Sequence, residues 1–177
     1  QIMGNYEMFE PITSNMFTRN TLSGTYQIIN KYLIKDLLEL KIWNDTLKQK
    51  IIANNGSVQN IDEIPDNLKE IYKTIWELKQ KDLIDMDAER SAYVCQSSSS
   101  NRYMSIPNNN KLTSMYIYCW KKGLKTGCYY LRSQSGADAV KFNIDVNILK
   151  EQKLKQKQEL INKYNQSIEE ECTVCSA

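Results

Sequence analysis

The sequence predicts a helix-rich α/β fold followed by a polar tail, and three observations predict it. Apolar residues recur at helical spacing behind asparagine and proline-aspartate start signals. Two short runs rich in β-branched and aromatic residues, 92–96 (Ala-Tyr-Val-Cys-Gln) and 128–133 (Cys-Tyr-Tyr-Leu-Arg-Ser), read as strands. From Asp145 onward Lys, Gln and Glu dominate and apolar residues thin out. The expected division is therefore residues 1–144 as the folded portion and 145–177 as a mobile tail.

Residues 5–30 mix Phe9, Met16, Phe17, Leu22, Tyr26 and Ile28 with Pro11, Ser14, Asn15 and Gly24, a pattern of extended pieces and turns. Asn30 is placed to cap a helix through Leu40, with Leu33, Leu37 and Leu40 on one face. Asn44 caps another through about Ala53, which stops at Asn54-Asn55-Gly56. Pro65 and Asp66 open what should be the longest helix, because proline suits the first turn and an acid suits the positive end of the dipole. Its stripe of Leu68, Ile71, Tyr72, Ile75 and Leu78 continues through Ile84 and Met86 to Ala88. After the strand at 92–96, serines 97–100 read as a loop, although together with Gln96 and Asn101 they could equally donate hydrogen bonds to a ligand.

Beyond Pro107 and the turn at Asn108-Asn109-Asn110, a helix from Lys111 carries Leu112, Met115, Tyr116, Cys119 and Trp120 on one face. Lys121, Lys122 and Lys125 load its C-terminal end, where cations complement the dipole. Gly127 is placed for a left-handed cap, and the strand at 128–133 follows at once. The tail is expected to hold some helix between residues 148 and 164.

The totals exclude several chemistries. With 177 residues, 41% of them hydrophobic and 25% charged, the chain can bury a core. A net charge of +2 without a concentrated basic patch gives no reason to expect a nucleic-acid partner. No apolar run approaches a membrane span, and the N-terminus lacks the order of a signal peptide, so a cytosolic protein with no membrane partner is expected. With 0 histidines, no Ser-His-Asp triad, Cys-His pair or imidazole zinc site can form. The 5 cysteines are expected as reduced thiols, with Cys95, Cys119 and Cys128 as small apolar core residues. The first residue is Gln1 rather than Met, which reads as a processed chain or one piece of something larger.

Two features could carry redox chemistry. Cys172 and Cys175 have the Cys-x-x-Cys spacing that closes a disulfide or holds half of a metal site, but two further ligands are lacking nearby. A tether of about 27 residues from Asp145 spans roughly 29 Å as a flexible chain, enough to carry such a pair between two places. Three glutamates beside Cys172 disfavour its thiolate, which points to a dedicated partner for reduction. On the residues alone, a disordered tail that ends in cysteines is an equal reading. Tyr129 and Tyr130 are adjacent phenols after a helix stop. Packing is the commoner account of such a dipeptide, and the alternative is that stacked phenols pass an electron and a proton in short steps. Adjacent residues of a regular strand point to opposite faces, so a shared task requires the backbone to bend there or the strand to end.

From Lys111-Leu112-Thr113-Ser114-Met115 through Lys125-Thr126-Gly127-Cys128-Tyr129-Tyr130-Leu131-Arg132, the sequence resembles the C-terminal part of the large, catalytic subunit of class I ribonucleotide reductase in its eukaryotic-like form. Phe9-Glu10-Pro11, Thr13-Ser14-Asn15, Leu22-Ser23-Gly24, Asn55-Gly56-Ser57, Ile64-Pro65-Asp66, Ala88-Glu89-Arg90 and the terminal cysteine pair are similar to that family's segments in the same order. The resemblance implies that the chain completes part of a ten-stranded α/β barrel. It implies that Tyr129 and Tyr130 relay a radical from the small subunit, and that Cys172 and Cys175 re-reduce the active-site disulfide and are themselves reduced by thioredoxin or glutaredoxin. A ribonucleoside diphosphate is the implied substrate.

The implied partners are the small subunit, docking its tail on helical faces around residues 68–78 and 112–125, and the remainder of the large subunit. No cofactor is expected in this chain. The family implies a di-iron tyrosyl radical in the small subunit and ATP or dNTP effectors on an N-terminal region that would precede Gln1, as would the thiyl-forming cysteine. The chain by itself is therefore expected to be inactive. Two rival expectations are a helical interaction module that binds the small subunit without catalysis, and a small dithiol shuttle working only through Cys172 and Cys175.

Overall fold

The computed structural model describes the backbone of residues 8–134 and 146–174, and the side chains among these except 159–160 and 163–174. It is a helix-rich α/β structure. In chain order the described elements are β1 (Met16–Thr21), β2 (Gly24–Ile29), α1 (Lys31–Glu39), α2 (Asp45–Ala53), α3 (Asp66–Ile71), α4 (Gln80–Ser91), β3 (Arg102–Tyr103), α5 (Asn109–Lys121), β4 (Leu131–Arg132) and α6 (Val146–Val174). The strands form two two-stranded sheets, and no barrel closes among the described residues. The expected boundary at residue 145 lies outside the described residues. The chain divides into two compact bodies, one from Gln1–Ser14 with Lys73–Ala139 and the other from Asn15–Tyr72 with Val140–Ala177.

In the second body, β1 and β2 form an antiparallel hairpin with Met16 opposite Ile29 and Thr21 opposite Gly24. Both asparagine caps are where the sequence placed them. The Asn30 side chain accepts the Tyr32 N–H at 3.1 Å, and Asn44 accepts that of Leu47 at 2.8 Å. Each satisfies a donor that the first turn of a helix leaves unpaired. Leu33 and Leu37 of α1 and Leu47 and Ile51 of α2 meet Val58, Ile61, Ile64 and Leu68 in one core. Leu40 stays outside it, because α1 stops at Glu39 and Lys41 turns left-handed at φ 57°. Along α2 lies α6, whose Gln156 donates to Asn54 Oδ1 at 3.2 Å while Lys155 pairs with Asp62 at 2.8 Å. This helix runs well past the 148–164 stretch expected from sequence.

The long helix expected from Pro65 to Ala88 is two helices with a turn between them. Of its apolar stripe, Leu68, Tyr72, Ile75 and Ile84 are buried while Ile71 and Met86 are exposed, and the backbone groups in the middle are taken elsewhere. The Tyr72 carbonyl accepts from Asn15 Nδ2 at 2.8 Å, and the Tyr72 hydroxyl donates to Asp36 at 2.5 Å. Beyond it, the Thr74 N–H donates to the Glu77 carboxylate at 2.7 Å and the Ile75 N–H to the Ile12 carbonyl at 2.9 Å. A continuous helix would have claimed those groups for its own ladder.

In the first body, β3 and β4 are parallel, with Arg102 opposite Leu131 and Tyr103 opposite Arg132, and α5 forms the crossover between them. The strand expected at 92–96 is absent. Ala92 caps α4, Tyr93 is 91% exposed, and the carbonyls of Val94 and Cys95 accept from Lys125 Nζ at 3.0 and 2.7 Å. A β-rich composition makes no strand where no neighbouring strand takes the ladder. The α5 helix starts under Asn108, whose side chain accepts the Lys111 N–H at 2.7 Å. It ends at Gly123, not Gly127. Gly123 adopts φ +76°, and the bonds from Gly123 N–H to Trp120 O (2.9 Å) and from Leu124 N–H to Cys119 O (3.1 Å) form a Schellman closure. Met115 and Cys119 pack against Ile84 of α4 with Leu112 beside them, whereas Tyr116 and Trp120 stay exposed.

Leu37 has no exposed surface, so Leu37→Ala should lower the unfolding free energy by about 2–5 kcal/mol, and Asn44→Ala by about 1 kcal/mol. Denaturant titration measures both. Equal midpoints for the parent and Leu37→Ala would contradict the core assignment.

Candidate functional site

The short parallel ladder of β3 and β4 fixes where Tyr129 and Tyr130 sit. The Arg102 N–H donates to the Tyr130 carbonyl at 2.8 Å, and the Met104 N–H to that of Arg132 at 2.9 Å. A regular parallel ladder continued back by two residues would give the Ser100 carbonyl the N–H of Tyr130. It takes that of Tyr129 instead, at 2.8 Å. Over this interval the β4 side therefore carries one residue more than the β3 side, a bulge that breaks the alternation of side chains. The two rings consequently meet. Their centroids are 4.4 Å apart at an interplanar angle of 67°, and Arg132 lies over the Tyr130 ring with Cζ 4.7 Å from its centroid. Both rings keep about half their surface exposed, Tyr129 at 57% and Tyr130 at 50%.

Bonded to the backbone of this segment is a polar cluster that sequence reasoning missed. Arg102 is 1% exposed and Asp87 3%, and they are joined by a 2.6 Å contact from Arg102 Nη1 to Asp87 Oδ2. Ser100 donates to the same carboxylate oxygen and accepts from Arg102 Nη1 at 2.9 Å. Arg90 holds the other oxygen of Asp87 and lies over Phe9, with Cζ 4.2 Å from the ring centroid. Arg102 Nε donates to the Gly127 carbonyl at 2.8 Å. Next to this cluster, Glu10 accepts from the Asn101 N–H at 2.7 Å and from the Tyr103 hydroxyl at 3.0 Å. The one signal in the sequence was Asp87 itself, an acid in register with Leu83 and Ile84 on the buried side of α4.

Gly127 serves close approach and not a left-handed turn. A Cβ there would lie 3.1 Å from the Cβ of Cys119. Cys119 and Cys128 are in the apolar cluster as expected, and burial pushes the Cys119 thiol up. Cys95 is exposed, contrary to expectation, because no strand forms around it. Lys122 pairs with Asp85 at 2.6 Å, a hydrogen bond that holds the carboxyl below its usual range and raises the ammonium. A cavity of about 220 Å³ is lined by Phe9, Arg90, Val94, Gln96, Lys125 and Thr126 among others, so the serine loop with Gln96 borders open space.

The backbone of Cys172 belongs to α6, its side chain is outside the description, and Cys175 lies outside the described residues. Among the described residues no three His, Cys, Asp or Glu side chains group as metal ligands, and no helix is long and apolar enough to cross a membrane.

Residues 1–130 match the family model described as ribonucleotide reductase, barrel domain. The chain is 54% identical over 151 residues to the ribonucleoside-diphosphate reductase large subunit of Trypanosoma brucei brucei, covering 85% of this chain and 18% of that protein. It is 53% identical over 171 residues to the large chain of Cryptosporidium parvum, covering 97% and 21%. Against the large subunit of Caenorhabditis elegans it is 49% identical over 176 residues, covering 99% and 22%. Among solved structures it is similar to the Actinobacillus ureae class Id ribonucleotide reductase alpha subunit, at a TM-score of 0.59 and 29% identity over 71% of this chain and 22% of that one. The chain thus spans about a fifth of the length of the curated relatives it matches.

The burial of Cys119 and the exposure of Cys95 should separate their reactivity, since Cys95 is open to reagents whereas burial both shields Cys119 and disfavours its thiolate. Iodoacetamide applied to the native protein at mildly alkaline pH should label Cys95 first and Cys119 only after denaturation. Mass spectrometry of the digested protein reads this, and equal native labelling would contradict the packing of Cys119.

Proposed function

The chain belongs to the ribonucleotide reductase barrel-domain family, and from that premise we propose that it supplies the radical-entry and electron-delivery elements of a ribonucleoside-diphosphate reductase large subunit. The observation that carries the reading is the contact of Tyr129 and Tyr130 at 4.4 Å across a bulge that overrides strand alternation. A phenol oxidised by one electron releases its proton and becomes a phenoxyl radical. A second phenol in van der Waals contact can refill it and pass the equivalent onward without a long jump. Half-exposure of both rings suits a relay that must be entered from one partner surface and left toward a reacting centre.

In this reading the small subunit is the source of the radical, and its own di-iron centre supplies the oxidising chemistry. The rest of the large subunit holds the ribonucleoside diphosphate. Reduction of one nucleotide consumes two electrons and two protons, releases water and leaves a disulfide. Cys172 and Cys175 would return the two electrons and become a disulfide themselves, to be re-reduced by thioredoxin or glutaredoxin. Three neighbouring glutamates, Glu169, Glu170 and Glu171, disfavour the thiolate and suit reduction by a dedicated protein partner.

Two substitutions in the assembled enzyme separate these roles. Tyr130→Phe removes the oxidisable hydroxyl but keeps the ring, so nucleotide reduction should fall to background while sedimentation shows normal subunit assembly. Sustained turnover by that variant would sink the relay. Cys175→Ser should leave a first burst of deoxynucleotide but abolish thioredoxin-supported steady-state turnover. A normal steady state would remove the tail pair from the pathway.

A further inference from the structure

A buried arginine calls for an explanation that stability does not supply. Removing a guanidinium from water costs several kcal/mol even when it is paired, and well-packed apolar side chains commonly do as well or better. Arg102 is 1% exposed, and its Nη2 has no hydrogen-bond partner among the described residues. The donors at Nη1 and Nε, by contrast, each have a partner. Nη1 is fixed on Asp87 and Ser100, and this leaves Nε aimed at the Gly127 carbonyl, two residues before Tyr129.

The same short stretch holds the tyrosine segment at two further points. The Ser100 carbonyl takes the Tyr129 N–H, and the Arg102 N–H gives to the Tyr130 carbonyl, both at 2.8 Å. Gly127, Tyr129 and Tyr130 are thus pinned in sequence by Ser100 and Arg102, with the extra residue of the bulge trapped between the pins. The Gly127 anchor also draws the chain against α5, where even a methyl group would crowd Cys119. A planar fork with fixed donor directions can hold these positions, whereas the single ammonium of lysine cannot.

We propose that Arg102 is a positioning residue for the tyrosine pair: anchored by Asp87 and Ser100, it holds the Gly127 carbonyl and so fixes the bulge that brings the two rings into contact. The proposal deepens the relay reading and rests on it for its functional consequence. Asp87 positions the arginine in turn, and Arg90, on the other carboxylate oxygen, keeps Asp87 from rotating away.

The test uses the complete reductase, with 3-fluorotyrosine at position 129 and Tyr130→Leu as the reference for a ring without its neighbour. Ser100→Ala, which removes one oxygen, and Arg102→Met, which keeps the bulk, should both move the Tyr129 fluorine resonance toward that reference. In the same variants kcat should fall, by about 10- to 100-fold for Arg102→Met given what an ångström of misplacement costs, with KM for the nucleotide unchanged. Arg102→Lys should not rescue it. A resonance that stays at the parent position in both variants would overturn the proposal. So would a shifted resonance with parental kcat, or a loss confined to KM, in an enzyme that Tyr130→Phe inactivates. If Arg102→Met fails to fold, Ser100→Ala decides. The fluorine shift needs no turnover, so an active Tyr130→Phe enzyme would defeat the relay while the shift still judged the positioning.

Discussion

The first body depends on one buried ion pair, Arg102 with Asp87, held at 2.6 Å where both side chains are almost wholly shielded from water. Two charges in that setting are tolerable only if their remaining hydrogen-bonding capacity is used. Ser100, Arg90 and the Gly127 carbonyl use most of it, and in doing so they tie α4, the loop before β3 and the loop before β4 together. The apolar contacts around Ile84, Met115 and Cys119 give this body its cohesion, but they are compatible with many registers. The ion pair and its bonds select one. Because the selected register contains an extra residue beside Tyr130, the same constraint sets the geometry of the two phenols.

Much of the fold was legible because caps are local. Asn30 and Asn44 each announced a helix start, and each accepts a backbone N–H within three residues of itself, whereas Asn108, which reads in sequence as part of a turn, caps α5 in the same way. Pro65-Asp66 announced a start correctly as well, but the stripe behind it concealed a break. Nothing near Tyr72 or Ile75 in sequence reveals that Asn15 and Ile12 will claim their backbone groups. The strand misplaced at 92–96 failed for the converse reason. Its composition is right for a strand, yet the segment that β4 pairs with is Arg102–Tyr103, which a reader of composition passes over because an arginine leads it.

The site was half legible. Tyr129 and Tyr130 were visible as a dipeptide, and the alternation rule stated what geometry they would need in order to act together. The bulge that supplies the geometry was not visible, since it arises from pairing with residues nearly thirty positions earlier. Asp87 and Arg102 were missed because no local pattern marks their pairing, which joins α4 to β3 across 15 positions. Gly127 was noticed for the wrong property, as a residue suited to left-handed backbone, when Gly123 has that role and Gly127 is needed for its missing side chain.

The central claim is that this stretch works as the radical-entry part of a nucleotide-reducing large subunit. The most direct measurement exchanges the matching stretch of the Cryptosporidium parvum large chain, 53% identical, for this chain and follows formation of deoxyribonucleoside diphosphate with the small subunit present. The account predicts product at a rate that depends on the phenol of Tyr130. A chimera that folds and assembles with the small subunit yet forms no deoxynucleotide would contradict it.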